Sequence, residues 1–298
     1  MDWDDVFANM DYIPGGAAYP DRWAEAALAY RSLENDAGRA RLNIPYGEGA
    51  REAYDVFLPA GKPNGLLIFV HGGYWRAFDR TDFSHLAAGA QSRGWAVALP
   101  SYTLAPEAHV SDITLQIACA VEGIAAKQTG PIRLAGHSAG GHLVARMLCD
   151  GVLPPDVAAR VECCSPISPV SDLRDLRRTA LNDVLRLDEA EAAAESPMLL
   201  AQSVDCPVDV WVGALERPVF IEQAAGLAKV WNTKLTVAAG LHHFDVIEGM
   251  AEARECADRR LSRVVRTSRA ADCWVAGWPH RPRVRWRGQG LWRRRGTG

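Results

Sequence analysis

Long apolar stretches are missing from this 298-residue sequence, where no run of about 18 apolar residues occurs; a helical membrane span of ordinary length is therefore not expected. The first residues, MDWDDVFANMDYIPGG, carry acids where a secretory signal would carry bases, and no apolar segment follows them. A cytoplasmic protein is the expectation. No CxxC or HExxH string is present to suggest zinc, and no GxGxxG or GxxxxGK[ST] string to suggest a dinucleotide or phosphate-binding loop. His71, His137 and His142 do not follow any such metal-ligand spacing, so neither a metal nor an organic cofactor is expected. The seven cysteines, at 119, 149, 163, 164, 206, 256 and 273, are odd in number and irregular in spacing, which favours buried free thiols over a disulfide or metal framework.

Net charge is small but unevenly placed. The net charge is −3. Residues 266–298 hold nine arginines against one acid, Asp272, which gives that stretch +8 and leaves −11 for residues 1–265. Trp274, Trp278, Trp286 and Trp292 lie in the same tail, which shows no helical or strand periodicity. Such a tail has the composition of a nucleic-acid or acidic-surface binder, yet the acidic body would repel nucleic acid. The expectation is a folded unit over 1–265 and a tail over 266–298 outside it, disordered or not native to the domain, with no nucleic-acid or membrane partner.

From residue 52 to residue 265, apolar strand candidates alternate with helical segments, the pattern of a mainly parallel sheet covered on both faces. The strands are read at Tyr54–Leu58, Leu66–Val70, Ala96–Pro100, Ile132–Ala135, Val161–Ser165, Val208–Val212 and Lys234–Ala238. Helices are read at Asp112–Ala126, Ala139–Cys149, Pro218–Trp231 and from just after His243 through Ala257. Two segments stand outside this rhythm. Residues 1–35 contain a helix entered through Pro20 and Asp21, and residues 171–205 contain the helical stretch LNDVLRLDEAEAAAESP. Each is expected to cap the C-terminal edge of the sheet, where open α/β proteins bind ligands.

The chemistry concentrates in three places. Gly136-His137-Ser138-Ala139-Gly140 joins strand IRLA to helix AGGHLVARML. A sharp strand-to-helix turn of this kind exposes a serine Oγ, and the following helix N-terminus offers free N–H groups to a developing oxyanion. Ser138 is the candidate nucleophile. His71-Gly72-Gly73-Tyr74-Trp75 follows strand LLIFV; there the Gly73 and Tyr74 N–H groups, with Gly72 supplying the turn, join the Ala139 N–H as a candidate oxyanion hole. His243, in the loop after strand KLTVAA, is the candidate general base, with His242 as the alternative. For the acid that orients it, Glu216 follows strand VDVWV, while Asp172 and Asp245 are rivals. Tyr74, Trp75 and His137 are the candidate substrate contacts.

Together, HGGYW at 71–75, GHSAGGH at 136–142, SPVSDLRDL at 168–176 and LHHFDVIE at 241–248 resemble the arylformamidase (kynurenine formamidase)-like branch of the α/β-hydrolases. The N-terminal DWDDVFAN and IPGGAAYPDRW are also similar to bacterial members, so the resemblance covers roughly residues 1–260. It implies an α/β-hydrolase fold with a small cap, a Ser138–His243 pair and an oxyanion strand at His71–Trp75. It also implies that small-molecule carboxylic esters or aryl formamides are cleaved through an acyl-enzyme without a cofactor; a homodimer is a separate expectation. The family commonly has aspartate in a GxxDxPxF context; here the stretch is Gly213-Ala-Leu-Glu216-Arg-Pro218-Val-Phe220, so a longer side chain must fold back to reach the histidine. A short-chain carboxylesterase without formamidase activity and a non-catalytic, ligand-binding relative of the fold are the alternatives.

Overall fold

The apolar runs become the interior strands of one eight-stranded sheet. The structure is a computed structural model and describes residues 1–252. The strands are β1 (Ala40–Pro45), β2 (Ala53–Phe57), β3 (Leu66–Val70), β4 (Ala96–Pro100), β5 (Ile132–His137), β6 (Val161–Ile167), β7 (Asp209–Gly213) and β8 (Lys234–Ala238). Their order across the sheet is β1-β2-β4-β3-β5-β6-β7-β8. The first two strands run antiparallel to their neighbours and the rest are parallel.

Alternation along a strand explains the core. In LLIFV, Leu66, Ile68 and Val70 enter one apolar cluster, while Leu67 and Phe69 enter the other. Successive side chains point to opposite faces, so a run without polar residues suits a strand covered on both sides. Helices Val110–Lys127, Ala139–Arg146 and Pro218–Val230 supply the first layer. Val110, Ile113, Ile117, Val121 and Ile124 recur every three or four residues along the first of these and are all buried, the stripe that a sheet-packed helix needs. Helix Tyr19–Asp36 covers the other face through Tyr19 and Trp23, beside Val246, Ile247 and Met250. Arg31 of that helix pairs with the buried Asp55 of β2, which also meets Arg80 at 3.3 Å.

Several readings are corrected. β1 was not anticipated. It is half-exposed, contains Arg41, Asn43 and Pro45, and is interrupted by a register shift, so it carries no apolar alternation. Residues 80–92, unassigned from sequence, form two 3-10 turns and the short helix Ala88–Ser92. The helical stretch expected within 171–205 is broken into Asn182–Leu185 and Glu189–Ala194. Arg186 takes φ 54° between them, and Asp188 caps the second. The helix expected after His243 is a 3-10 segment, Asp245–Ala251; its remainder and the Arg- and Trp-rich tail lie outside the described residues, as do Cys256 and Cys273. Cys119, Cys149, Cys164 and Cys206 are free thiols, and Cys119 is exposed rather than buried.

Candidate active site

β5 delivers Ser138 to the C-terminal edge of the sheet. At the N-cap of helix Ala139–Arg146 the serine takes φ 55° and ψ −117°, a conformation that costs a non-glycine residue on the order of 1–3 kcal/mol. The neighbouring glycines make the turn feasible. A Cβ on Gly136 would lie 2.2 Å from the Gly140 carbonyl oxygen, and one on Gly140 would lie 2.0 Å from that of Val70. Because the obstructing atoms are backbone, Gly140→Ala is expected to lower the unfolding free energy by about 3 kcal/mol, measured by urea denaturation. An alanine variant as stable as the parent would show that the helix can move away from β3.

β3 brings the second element alongside. A Cβ on Gly72 would come within 2.8 Å of the His137 carbonyl oxygen and 3.0 Å of the Ser138 Cβ. Gly73, Tyr74 and Trp75 then take φ 108°, 49° and 55° in succession. The turn is closed by the N–H groups of Arg76 and Ala77, both donating to the Gly73 carbonyl at 3.0 Å. The N–H groups of Gly73, Tyr74 and Ala139 find no acceptor among the described residues, and the last lies in the first turn of a helix, whose dipole favours negative charge. His71 anchors the start of the loop. It stacks on Tyr102 at 4.5 Å and donates from Nδ1 to the Gly72 carbonyl at 2.8 Å. Burial lowers its pKa to about 4 and keeps it neutral.

β7 and β8 supply the third element. The fully buried side chain of Glu216 folds back over its own turn. Its Oε1 accepts from the Gly213 N–H at 2.6 Å and the Ser168 hydroxyl at 2.5 Å, and its Oε2 accepts from His243 Nδ1–H at 2.6 Å. Gly213 is needed for this, since a Cβ there would lie 2.3 Å from the Leu241 carbonyl oxygen and 3.2 Å from the Glu216 Cγ. With Nδ1 engaged, His243 keeps Nε2 as its second functional nitrogen. Its ring packs against Phe220 at 4.4 Å and against His137, the residue before Ser138, at 4.7 Å.

Of the candidate acids, the structure brings Glu216 to His243. Asp172 is turned away, with both carboxylate oxygens on Arg174. Asp245 accepts from the His242 N–H at 2.6 Å. His242 supports the loop, contacting the Tyr19 hydroxyl through Nε2 at 3.2 Å while Nδ1 accepts from the Phe244 N–H. Two of the substrate-contact expectations are corrected. Trp75 is fully buried beneath the loop, its ring edge-on to His142 at 5.1 Å, so it presents no surface to a ligand. His137 is also buried and donates from Nε2 to the His243 carbonyl at 2.8 Å. Burial, and then the charge of His243, hold its pKa well below the usual histidine range. The bond ties the His243 loop to the turn that carries Ser138. Tyr74 is half-buried, with its hydroxyl donating to the Phe7 carbonyl at 2.7 Å.

Sequence reasoning missed Ser168, although it opens the motif SPVSDLRDL. Nothing in that string distinguishes a hydroxyl aimed at a carboxylate from a turn residue; its φ of 47° and complete burial are visible only in three dimensions. The N-terminal segment, expected only as a cap over the sheet edge, reaches the site through residues to which sequence reasoning assigned no role. A cavity of about 220 Å³ beside His243 is lined by Asn9, Tyr12 and Ile13 on one side and by Leu215, Arg217 and Pro218 on the other.

Residues 67–298 match the model of the alpha/beta hydrolase family. The chain belongs to that family. The match crosses the Arg- and Trp-rich tail that composition sets apart. This hydrolase is 26% identical over 273 residues to a kynurenine formamidase of Danio rerio, covering 83% of this chain and 93% of the relative. It is 31% identical over 244 residues to a kynurenine formamidase of Drosophila melanogaster, covering 74% and 80%. Among solved structures it is similar to a protein described as a candidate thioesterase from Silicibacter sp. TM1040, at 52% identity and a TM-score of 0.83 over 86% of this chain and 97% of the other. Esterase B from Lactobacillus rhamnosis, 20% identical with a TM-score of 0.57 over 75% and 89%, shares the fold. Among the described residues no helix is long and apolar enough to cross a membrane, and no three His, Cys, Asp or Glu side chains gather as metal ligands.

Proposed function

We propose that this hydrolase cleaves aryl formamides and small-acyl aryl esters through a covalent intermediate on Ser138. The observation that carries the reading is the buried Glu216–His243 pair, whose imidazole packs against His137, the residue before a serine held at positive φ. Ser138 Oγ attacks the substrate carbonyl carbon while His243 Nε2 takes its proton. The charge on the carbonyl oxygen develops against the N–H groups of Gly73, Tyr74 and Ala139. Glu216 stabilises the imidazolium across the 2.6 Å bond. The tetrahedral intermediate then collapses, the carbon–nitrogen or carbon–oxygen bond breaks, and His243 returns its proton to the departing amine or phenol. Proton delivery is essential for a formamide, because an anilide is a poor leaving group. A water that gives its proton to His243 next attacks the acyl-serine and releases formate or another short acid.

The relatives named kynurenine formamidase support the formamide arm, and N-formylkynurenine is accordingly the substrate of choice for the test. The 52%-identical candidate thioesterase makes a short-chain thioester the natural competitor. A hydrolysis panel of N-formylkynurenine, p-nitrophenyl acetate and acetyl thioesters decides between them: turnover of N-formylkynurenine supports the reading, and its absence beside good thioester turnover replaces it. In this reading the N-terminal segment and residues 171–205 act as a cap over the sheet edge, and the enzyme works in the cytoplasm.

Acyl length is a second readout. Trp75 fills the space beneath the oxyanion loop and Tyr74 is tied to Phe7, so a formyl or acetyl group is the expected fit. Across p-nitrophenyl esters, kcat/KM should fall steeply beyond butyrate, by about 1 kcal/mol or more for each methylene the site excludes. A profile that stays flat to dodecanoate would instead describe a lipase-like esterase.

A further inference from the structure

We infer that His142 is a positioning residue for the oxyanion loop, acting on it through the buried ring of Trp75. The inference deepens the proposed reaction and rests on the reading of the Gly73 and Tyr74 N–H groups as oxyanion donors.

His142 stands one helical turn beyond the nucleophile, where its N–H donates to the Ser138 carbonyl at 3.0 Å. Its side chain is fully buried and takes no part in the proton transfers between Ser138, His243 and the leaving group. Burial lowers its pKa to about 4, so the imidazole is neutral at neutral pH. Its Nε2–H donates to the Glu195 carbonyl at 2.6 Å. The ring is therefore held at both ends, by the helix backbone at Cβ and by this bond at Nε2.

Glu195 is a firm anchor for that bond. Its carboxylate accepts from Thr114 Oγ1 at 2.7 Å and from Arg146 Nε and Nη2 at 3.0 and 3.2 Å. Its N–H donates to the Glu191 carbonyl at 2.8 Å. Helices Val110–Lys127, Ala139–Arg146 and Glu189–Ala194 thus all fix one residue, and its carbonyl has little room to move.

What the imidazole steadies is Trp75. The two rings meet edge to face, with centroids 5.1 Å apart and planes at 85°. Trp75 is fully buried, and its Nε1 makes no hydrogen bond among the described residues, so packing alone fixes the indole. Its backbone takes φ 55°, directly after Gly73 at 108° and Tyr74 at 49°. Backbone held in such regions persists only where its surroundings over-determine it. A shift of the indole is passed to the Tyr74 and Gly73 N–H groups one and two residues away. Donors to an oxyanion act only when they are aimed within hydrogen-bond reach of it. His142 therefore locks the donor loop to the helix that carries the nucleophile, so that both halves of the site keep one geometry.

The test compares p-nitrophenyl acetate with its thiono analogue, in which sulfur replaces the carbonyl oxygen. Sulfur is larger and a weaker acceptor, so a well-placed oxyanion hole prefers the oxygen ester, and the ratio of the two kcat/KM values reads its geometry. In the full-length enzyme, His142→Gln keeps a donor for Glu195 but removes the ring beside Trp75. It should lower kcat on p-nitrophenyl acetate by about 10- to 100-fold with KM almost unchanged, the pattern of a misplaced transition-state contact. The sulfur ester should slow less, so the ratio shrinks. Trp75→Phe should do the same, and the double variant should be hardly slower than either single one, because both act through one loop. His142→Phe gives back a ring and should recover part of kcat, although it leaves the Glu195 carbonyl unpaired and melts earlier. Should His142→Gln fail to fold, Trp75→Phe alone carries the comparison. Variants that keep the parental ratio, or whose activity simply follows their stability, would overturn the inference and leave His142 a fastener between the nucleophile helix and Glu195. A parent enzyme with no preference for the oxygen ester would reject the oxyanion donors themselves, and the inference with them.

Discussion

Ser138→Ala is expected to lower kcat on p-nitrophenyl acetate by at least ~10³-fold, the loss usual when one member of a serine triad is removed. The cooperative melt should barely change, because Ser138 Oγ makes no hydrogen bond among the described residues while its backbone does: the Ser138 N–H donates to the Ile167 carbonyl at 2.8 Å and its carbonyl accepts from the His142 N–H at 3.0 Å. An alanine keeps both bonds and the same φ. Covalent labelling by a fluorophosphonate should disappear with the hydroxyl. The double variant Ser138→Ala/His243→Ala should be hardly slower than the single one, since nucleophile and base act as a unit and their losses do not add. A Ser138→Ala enzyme within tenfold of the parent would reject the nucleophile and revive the reading of a binding protein built on a hydrolase frame.

How much of this was legible in the sequence depended on burial. Strands Leu66–Val70, Ala96–Pro100 and Lys234–Ala238 agree residue for residue with the apolar runs that suggested them. For the two interior ones this is because a strand covered on both faces has no choice but to be apolar. β1 went unread for the converse reason: half of it faces solvent and a bulge interrupts its register. Ser138 and the Gly72–Gly73 turn were legible because each sits where a strand ends, with glycines whose Cβ atoms would strike backbone, and His243 because it follows the last strand. Trp75 and His137 were placed in the site but given the wrong task. Sequence adjacency to Gly73 and Ser138 says that a side chain is near the chemistry, not which way it points, and the positive φ at Trp75 turns the indole down into the core. Asn9 and Tyr12 were unreadable as cavity residues, since more than 200 positions separate them from Arg217 and His243.

Glu216→Gln should cost ~10²- to 10⁴-fold in kcat with little change in fold. The argument follows from counting donors. The carboxylate receives three: the Ser168 hydroxyl and the Gly213 N–H at Oε1, and His243 Nδ1–H at Oε2. An amide offers one oxygen. If that oxygen stays with Ser168 and Gly213, the new NH₂ faces Nδ1–H, and the imidazole relieves the clash by moving its proton to Nε2. The base nitrogen then no longer accepts the serine proton, and no negative charge remains to stabilise an imidazolium. If the amide turns over, its NH₂ opposes the Gly213 N–H, a backbone donor that cannot adapt. Glu216→Asp keeps the charge and both acceptors but shortens the fold-back by one methylene, so a milder loss is expected. Asp172→Asn supplies the contrast: its carboxylate is spent on Arg174, and the variant should retain parental kcat/KM. Should Asp172→Asn be the crippled enzyme and Glu216→Gln the silent one, the roles of the two acids would have to be exchanged, and the 2.6 Å contact between Glu216 and His243 would be structural only.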